Sequence, residues 1–77
     1  MINILCEELN RYDLHAYPSG DTRIRFENFP DLWIEVDDGT YVVSSVLRKL
    51  NTAIDASFSQ PLQVIRYILG GLWYEIN

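Results

Sequence analysis

The sequence predicts an α+β domain in which a helix precedes a three- or four-stranded antiparallel meander, and two helices then pack on one face of the sheet. Three successive regimes of periodicity give this order. Apolar residues recur every three or four positions before residue 12, alternate with polar ones between residues 14 and 43, and then return to helical spacing. One-sided alternation is typical of an antiparallel sheet with one face in solvent.

The first segment carries one apolar stripe. Its members are Ile2, Leu5, Cys6 and Leu9. This spacing covers one face of a short helix that ends near Arg11 or Tyr12. Cys6 is the only cysteine, so the chain can form no internal disulfide. We expect Cys6 to pack in the core as a small hydrophobic residue.

Turn residues set the register of the meander. Asp38-Gly39 predicts a two-residue turn that pairs Asp37 with Thr40 and keeps apolar residues opposite one another. Two further turns are expected, a loop at residues 19–21 and a bend at residues 29–31. The pairings that they predict are Ala16 with Ile24, Phe26 with Ile34, Arg25 with Glu35 and Arg23 with Asp37.

Helical spacing returns after the meander. The apolar residues at this spacing are Val46, Leu47, Leu50, Ile54 and Phe58. Either Ser44 or Ser45 can cap a helix, so we expect one that runs to about Ser57. Ser59 and Pro61 predict the start of a third helix.

The third helix is expected to end at the glycine pair Gly70-Gly71, because glycine favours helix termination. The segment Leu72–Ile76 is a short extension for which two forms stay open, a strand or a turn on the core. Residues 1–77 are expected to form a single small acidic domain.

The charge balance narrows the class of partner. Eleven acidic residues against six basic ones give a net charge of -5, which disfavours direct binding to nucleic acid and favours basic partners. No apolar run is long enough to cross a membrane, and the N-terminal residues lack the basic flank of a signal peptide. We therefore expect a cytoplasmic protein with no membrane partner.

The sequence contains no catalytic constellation. His15 is expected on the surface opposite Arg25, with Asp13 on the other face. The hydroxyls of four serines are expected to cap helices rather than to act as nucleophiles; these are Ser44, Ser45, Ser57 and Ser59. We expect a protein that is not an enzyme and that holds no cofactor and no metal.

An acidic run is the most informative feature of the chain. Between residues 27 and 38 it contains five carboxylates and no lysine or arginine, at Glu27, Asp31, Glu35, Asp37 and Asp38. One interpretation is a solvated sheet face with cross-strand ion pairs to Arg23 and Arg25. The other is a set of carboxylates held on tight turns to bind arginines of a partner.

Trp33 is predicted on the polar face of the sheet, beside Arg25 and Glu35 and across from Glu27. It either stacks on an arginine or forms part of a docking patch with Tyr17 and Val42. Exposed aromatics, including Trp33, Trp73 and Tyr74, support an alternative function as a small self-associating structural or regulatory subunit.

Three segments carry a family resemblance: the helix ending in Asp13, the stretch Leu14–Gly20 and the segment Leu32–Ser44. They resemble the N-terminal half of small phage-encoded anti-CRISPR proteins that inhibit the type II-A nuclease Cas9. The resemblance implies a helix, a three-stranded antiparallel sheet and two further helices. It also implies a DNA mimic whose acidic residues occupy the groove in which Cas9 arginines read the PAM duplex.

The resemblance transfers partner contacts to Asp13, Asp37, Asp38 and Gly39, with Thr40 as a further candidate. It implies a non-enzymatic inhibitor that works in the cytoplasm of the host cell and binds a larger nucleic-acid-reading protein, a CRISPR effector such as Cas9. Together with the acidic run, the candidate partner-binding residues are Asp13, Glu27, Asp31, Trp33, Glu35, Asp37, Asp38, Gly39 and Thr40.

Overall fold

A computed structural model describes residues 2–47 and 52–70 as an α+β fold. Its elements are helix α1 (Ile2–Asn10), strands β1 (Ala16–Ser19), β2 (Arg23–Phe26), β3 (Leu32–Asp37), β4 (Thr40–Leu47) and β5 (Thr52–Phe58), and helix α2 (Pro61–Gly70). The strands form one antiparallel sheet in the order β1-β2-β3-β4-β5. The predicted class and meander are confirmed, with a fifth strand added.

Both helices cover the same face of the sheet. Helix α1 packs on β1 and β2, and helix α2 packs on β4 and β5. Alternate strand residues point into this layer, where Ile24 and Ile34 are fully buried. The predicted stripe on α1 is confirmed, since Leu5, Cys6 and Leu9 lie in the same core as Val64, Ile65 and Ile68 of α2.

The predicted helix between Ser44 and Ser57 is wrong, because residues 44–47 lie in β4 and residues 52–57 lie in β5. In β5 the side chains of Ile54, Ala56 and Phe58 are half-buried, and those between them are exposed. A four-residue step from Ile54 to Phe58 fits a helix and a strand equally well. Ala56, an apolar residue midway between them, completes the two-residue alternation that indicates a strand. One helix, rather than two, therefore follows the meander in residues 52–70.

The capping role predicted for Ser45 is also wrong. Ser45 lies in β4 between Leu32 and Ile54, on the covered face. The residue is 1% exposed, and within the described residues its hydroxyl has no hydrogen-bond partner. A buried hydroxyl without a partner keeps its desolvation penalty and gains nothing in return.

Replacement of this hydroxyl is expected to stabilise the fold. We expect Ser45→Ala to raise the free energy of unfolding by about 1 kcal/mol, because the orphaned polar group is removed. Urea denaturation would measure the change. Ser57→Ala is the matched control, since Ser57 is exposed on the neighbouring strand and should change stability by only a few tenths of a kcal/mol. A loss of stability in Ser45→Ala would contradict the assignment.

Of the three hairpins that the sequence predicts, one has the expected register and two do not. Pairing of Asp37 with Thr40 is confirmed. The two other hairpins are shifted by two residues, with Ala16 opposite Phe26 and Ile24 opposite Ile34. A two-residue shift leaves every side chain on its predicted face, so the buried set is right. The polar pairs that depend on register, Arg25 with Glu35 and Arg23 with Asp37, are wrong.

Short turns explain the shift. The Phe29 amide donates to the Phe26 carbonyl, and the Leu32 amide donates to the Phe29 carbonyl. These two consecutive turns reverse the chain direction between Phe26 and Leu32, so β3 begins at Leu32. The first hairpin likewise turns through residues 20–22 instead of 19–21, which places Pro18 inside the edge strand β1.

Helix α2 is predicted correctly from Pro61 to Gly70, but its cap differs. The Gln63 side chain accepts hydrogen bonds of 3.2 Å from the Ser59 and Gln60 amides. Gln60 therefore occupies the N-cap position, and a glutamine at the third helical residue reaches back to it. The predicted extension at Leu72–Ile76 lies outside the described residues.

Candidate acidic binding site

The β3–β4 turn holds two adjacent carboxylates in a defined conformation. Asp38 has φ of 46° and Gly39 has φ of 79°, the positive values that a primed two-residue turn requires. Aspartate tolerates this region better than most side chains, and glycine adopts it at little cost. Asp37, Asp38 and Thr40 are all exposed. The turn therefore presents its acids to solvent at fixed spacing.

A third carboxylate joins this turn from the neighbouring hairpin. The Val36 amide donates a hydrogen bond of 2.7 Å to the Thr22 carbonyl. This bond extends the contact between β2 and β3 to Thr22 and Val36, which are the chain neighbours of Asp21 and Asp37. We call Asp21, Asp37 and Asp38 the acidic turn cluster. The sequence analysis did not include Asp21 among the site residues, because the predicted β2–β3 register placed Arg23, two residues away, opposite Asp37.

The acidic turn cluster is not neutralised by the described part of the chain. The ion pairs in residues 2–47 and 52–70 are Arg11 with Glu8, His15 with Asp13, and Arg23 with Glu35. Arg23 was expected to pair with Asp37, but the observed register places Arg23 opposite Glu35. The three carboxylates of the cluster thus keep their charge available to an external cation.

The other candidate acids lie at the opposite end of the sheet. Asp31 precedes β3 and is six residues from Asp37, which corresponds to about 20 Å along an extended strand. Glu27 is exposed, and Asp31 is half-buried with its backbone carbonyl bonded to the Val46 amide at 3.0 Å. Asp13 follows α1 at the same end. The structure therefore places four of the nine predicted residues at the β3–β4 turn and three at the opposite end, with Trp33 and Glu35 between them in β3.

Glu35 is engaged inside the molecule. One carboxylate oxygen accepts a hydrogen bond from the Arg23 Nε, and the other accepts one of 3.1 Å from the Thr22 hydroxyl. The Arg23 hydrogen bond is the main reason that the pKa of Glu35 lies below its ordinary value, with a smaller contribution from Thr22. Glu35 is thus less available to a partner than the carboxylates of the acidic turn cluster.

The lowered pKa of Glu35 predicts a pH dependence of stability. A carboxyl whose pKa is lower in the folded state than in the unfolded state stabilises the fold when the pH is above the unfolded-state pKa, near 4.5. This contribution is lost as the pH falls through the folded-state pKa. We expect Glu35→Gln to flatten the decline in unfolding free energy below about pH 4.5. Urea titrations at several pH values would show it. A decline unchanged from the wild type would contradict the interaction.

Trp33 lies between two arginines on the open face of the sheet. The guanidinium carbons of Arg23 and Arg25 lie 6.0 and 5.7 Å from the centre of its ring. Stacking is therefore confirmed, and each contact is worth about 0.5 to 1 kcal/mol at an exposed site. The strand neighbours of Trp33 are Arg25 and Ser44, so the expected position across from Glu27 is wrong. Docking through Trp33 stays a prediction.

His15 and Cys6 lie in different environments, His15 on the surface and Cys6 in the core. His15 is exposed as predicted, but it precedes β1 and its Nε2 lies 3.2 Å from Asp13 Oδ1, where we expected the two on opposite faces. Tyr17, not His15, lies opposite Arg25.

Cys6 is buried, as predicted, and burial raises the pKa of its thiol. A raised pKa keeps a thiol protonated and poorly nucleophilic.

A cleft of about 360 Å³ lies beside the acidic turn cluster. Its lining residues are Ile2, Asn3, Pro18, Gly20, Asp21 and Val36. Asp21 is the one ionisable side chain among them.

In the part of the chain that the structure describes, no group of three His, Cys, Asp or Glu side chains is placed to hold a metal ion. Nor does any described helix have the length and apolar character to span a membrane.

No protein-family model, curated protein or solved structure matches the chain.

Proposed function

We propose that the chain is a non-enzymatic inhibitor that binds a basic, nucleic-acid-reading surface of a larger protein. The observation that carries this proposal is the acidic turn cluster, in which Asp37 and Asp38 lie on a tight two-residue turn without an ion pair to any described residue. Carboxylates held in this way bind arginines with little loss of side-chain freedom.

A basic partner also fits the charge of the whole protein. The net charge of -5 repels nucleic acid and attracts a surface that normally binds phosphates. Complementary charge of this kind accelerates association and makes it sensitive to salt. The acidic turn cluster would then stand in for phosphate and base acceptors, as expected of a DNA mimic.

The resemblance to anti-CRISPR proteins supplies the first target to test. Cas9 reads its PAM with arginines, and the segment that resembles the family contains Asp37, Asp38 and Gly39. The proposed action is therefore inhibition of Cas9 by occupation of its PAM-reading groove in the cytoplasm of the host cell.

The test compares two double variants in a Cas9 cleavage assay. Asp37→Asn with Asp38→Asn removes two charges from the turn and keeps a residue that tolerates positive φ. Glu7→Gln with Glu8→Gln removes the same charge from α1. We expect the first pair to weaken inhibition about tenfold or more, since hydrogen bonds to charged groups contribute about 1.5 to 3 kcal/mol each. The second pair should have little effect.

Two results would count against the proposal. Equal inhibition by the two double variants would show that net charge, and not the turn, drives binding. An absence of inhibition by the wild-type protein would remove Cas9 as the target. Circular dichroism of each variant separates loss of binding from loss of fold.

A further inference from the structure

The two edges of the sheet differ in how they are protected. The outer edge of β1 is closed: the Asn10 side chain donates to the Ala16 carbonyl at 3.0 Å and accepts from the Ala16 amide at 2.6 Å. Pro18, the other residue of β1 on this side, has no amide hydrogen to donate. Strand β1 therefore has no amide donor available for a further strand.

Strand β5 has no comparable protection from the described residues. It is seven residues long and contains no proline, lysine or arginine, and its one charged side chain is that of Asp55. In residues 2–47 and 52–70, β4 is the one strand that pairs with it.

Hydrogen bonds elsewhere in the sheet show which groups of β5 face outward. The Val46 amide donates to the Asp31 carbonyl, so the even-numbered residues of β4 bond to β3 and the odd-numbered ones bond to β5. Val43 and Ser45 lie opposite Ala56 and Ile54, which are therefore the residues that bond back to β4. The amides and carbonyls of the alternate residues point away from the sheet, at Ala53, Asp55 and Ser57.

The side chains of these three residues are exposed, and Asp55 lies at the middle of the strand. A second copy of the chain, paired antiparallel over the whole of β5, would place Asp55 opposite its own equivalent. Like charges in directly opposite positions destabilise a strand pair. A strand with a lysine or arginine at that position would instead gain an attractive pair.

We propose that the outer edge of β5 adds an extended segment of a partner protein as a sixth strand, with a basic side chain opposite Asp55. Backbone hydrogen bonds from Ala53, Asp55 and Ser57 hold the segment, as in other cases of strand addition. Apolar side chains of the segment extend the half-buried row formed by Ile54, Ala56 and Phe58. This interaction does not use the acidic turn cluster.

The probe is a capped seven-residue peptide with valine at odd positions, threonine at the second and sixth positions and lysine at the fourth. Hydrogen exchange followed by NMR is measured with and without it. In the free protein, the amides of Ile54, Ala56 and Phe58 should be protected and those of Ala53, Asp55 and Ser57 should exchange rapidly. Addition of the peptide should slow exchange at the second set.

Three controls make the result specific. The same peptide with N-methyl groups at its even positions keeps the charge but loses the donors, and it should not bind. A glutamate peptide should bind about two to five times more weakly to the wild type, and Asp55→Lys should reverse this preference. Asp37→Asn with Asp38→Asn should leave peptide binding unchanged, so a failure of the acidic-turn proposal is distinguished from a failure here.

Several outcomes would overturn the proposal. Protection of Ala53, Asp55 and Ser57 in the free protein would mean that the edge is already occupied, by this chain or by a second copy. Equal binding of the N-methylated peptide would exclude strand addition. Loss of binding in the Asp37 and Asp38 double variant would place the peptide on the acidic turn cluster.

Discussion

Ile34→Ala is expected to lower the free energy of unfolding by about 3 to 4 kcal/mol, the largest single effect among the substitutions considered. Ile34 is fully buried in β3, the central strand of the sheet, and lies between Ile24 and Val43 of the adjacent strands. Removal of three carbons there loses transfer free energy and leaves a cavity, because strands on both sides fix the surrounding backbone.

The expected loss is a large fraction of total stability, since a chain of 77 residues is stabilised by about 4 to 11 kcal/mol. Urea denaturation followed by tryptophan fluorescence would measure it. Ile4→Ala is the matched control: Ile4 is 64% exposed on α1, and its replacement should change stability by less than about 0.5 kcal/mol. A similar effect of the two substitutions would contradict the assignment of the core.

The face of each strand in the meander was predictable because alternation has a period of two. Ile24, Phe26 and Ile34 are buried as expected, although two of the three registers are shifted by two residues. A shift of two preserves the faces, so the hydrophobic pattern does not detect it. Only the Asp38-Gly39 turn fixed a register, because positive φ at two consecutive positions restricts the turn to one length.

Strand β5 was not predictable from the positions of its apolar residues. Ile54 and Phe58 fit a helix, and the serines at positions 44 and 45 resemble helix caps. These residues form a strand instead of a helix because β4 continues past Ser45, and the residues of β5 pair with its edge. Sequence propensity is a weak guide where a sheet edge is available to be paired.

The candidate site was predicted in part. Asp37 and Asp38 were identified from the acidic run, and their exposure on the turn agrees with that expectation. Asp21 joins them only through the hairpin register, which composition does not contain. Glu35 was predicted to bind a partner, but the strand register places it beside Arg23 and Thr22. Its carboxylate is therefore hydrogen-bonded within the molecule.

Asn10→Ala is expected to lower the free energy of unfolding by about 2 to 3 kcal/mol, since it removes two hydrogen bonds and leaves the partly buried amide and carbonyl of Ala16 without partners. Asn10→Asp keeps an acceptor for the amide but has no donor for the carbonyl, so about half of this loss is expected. Asn3→Ala, at an exposed position of the same helix, is the control and should be nearly neutral.

Hydrogen exchange at the Ala16 amide separates this local role from a general loss of stability. If Asn10 closes the edge of β1, exchange at Ala16 should accelerate in Asn10→Ala more than exchange at Ile24 in the adjacent strand β2. In Asn10→Asp the Ala16 amide should stay protected although stability falls. Equal acceleration at Ala16 and Ile24 in both variants would mean that Asn10 supports the fold as a whole, and that the closed edge of β1 has another cause.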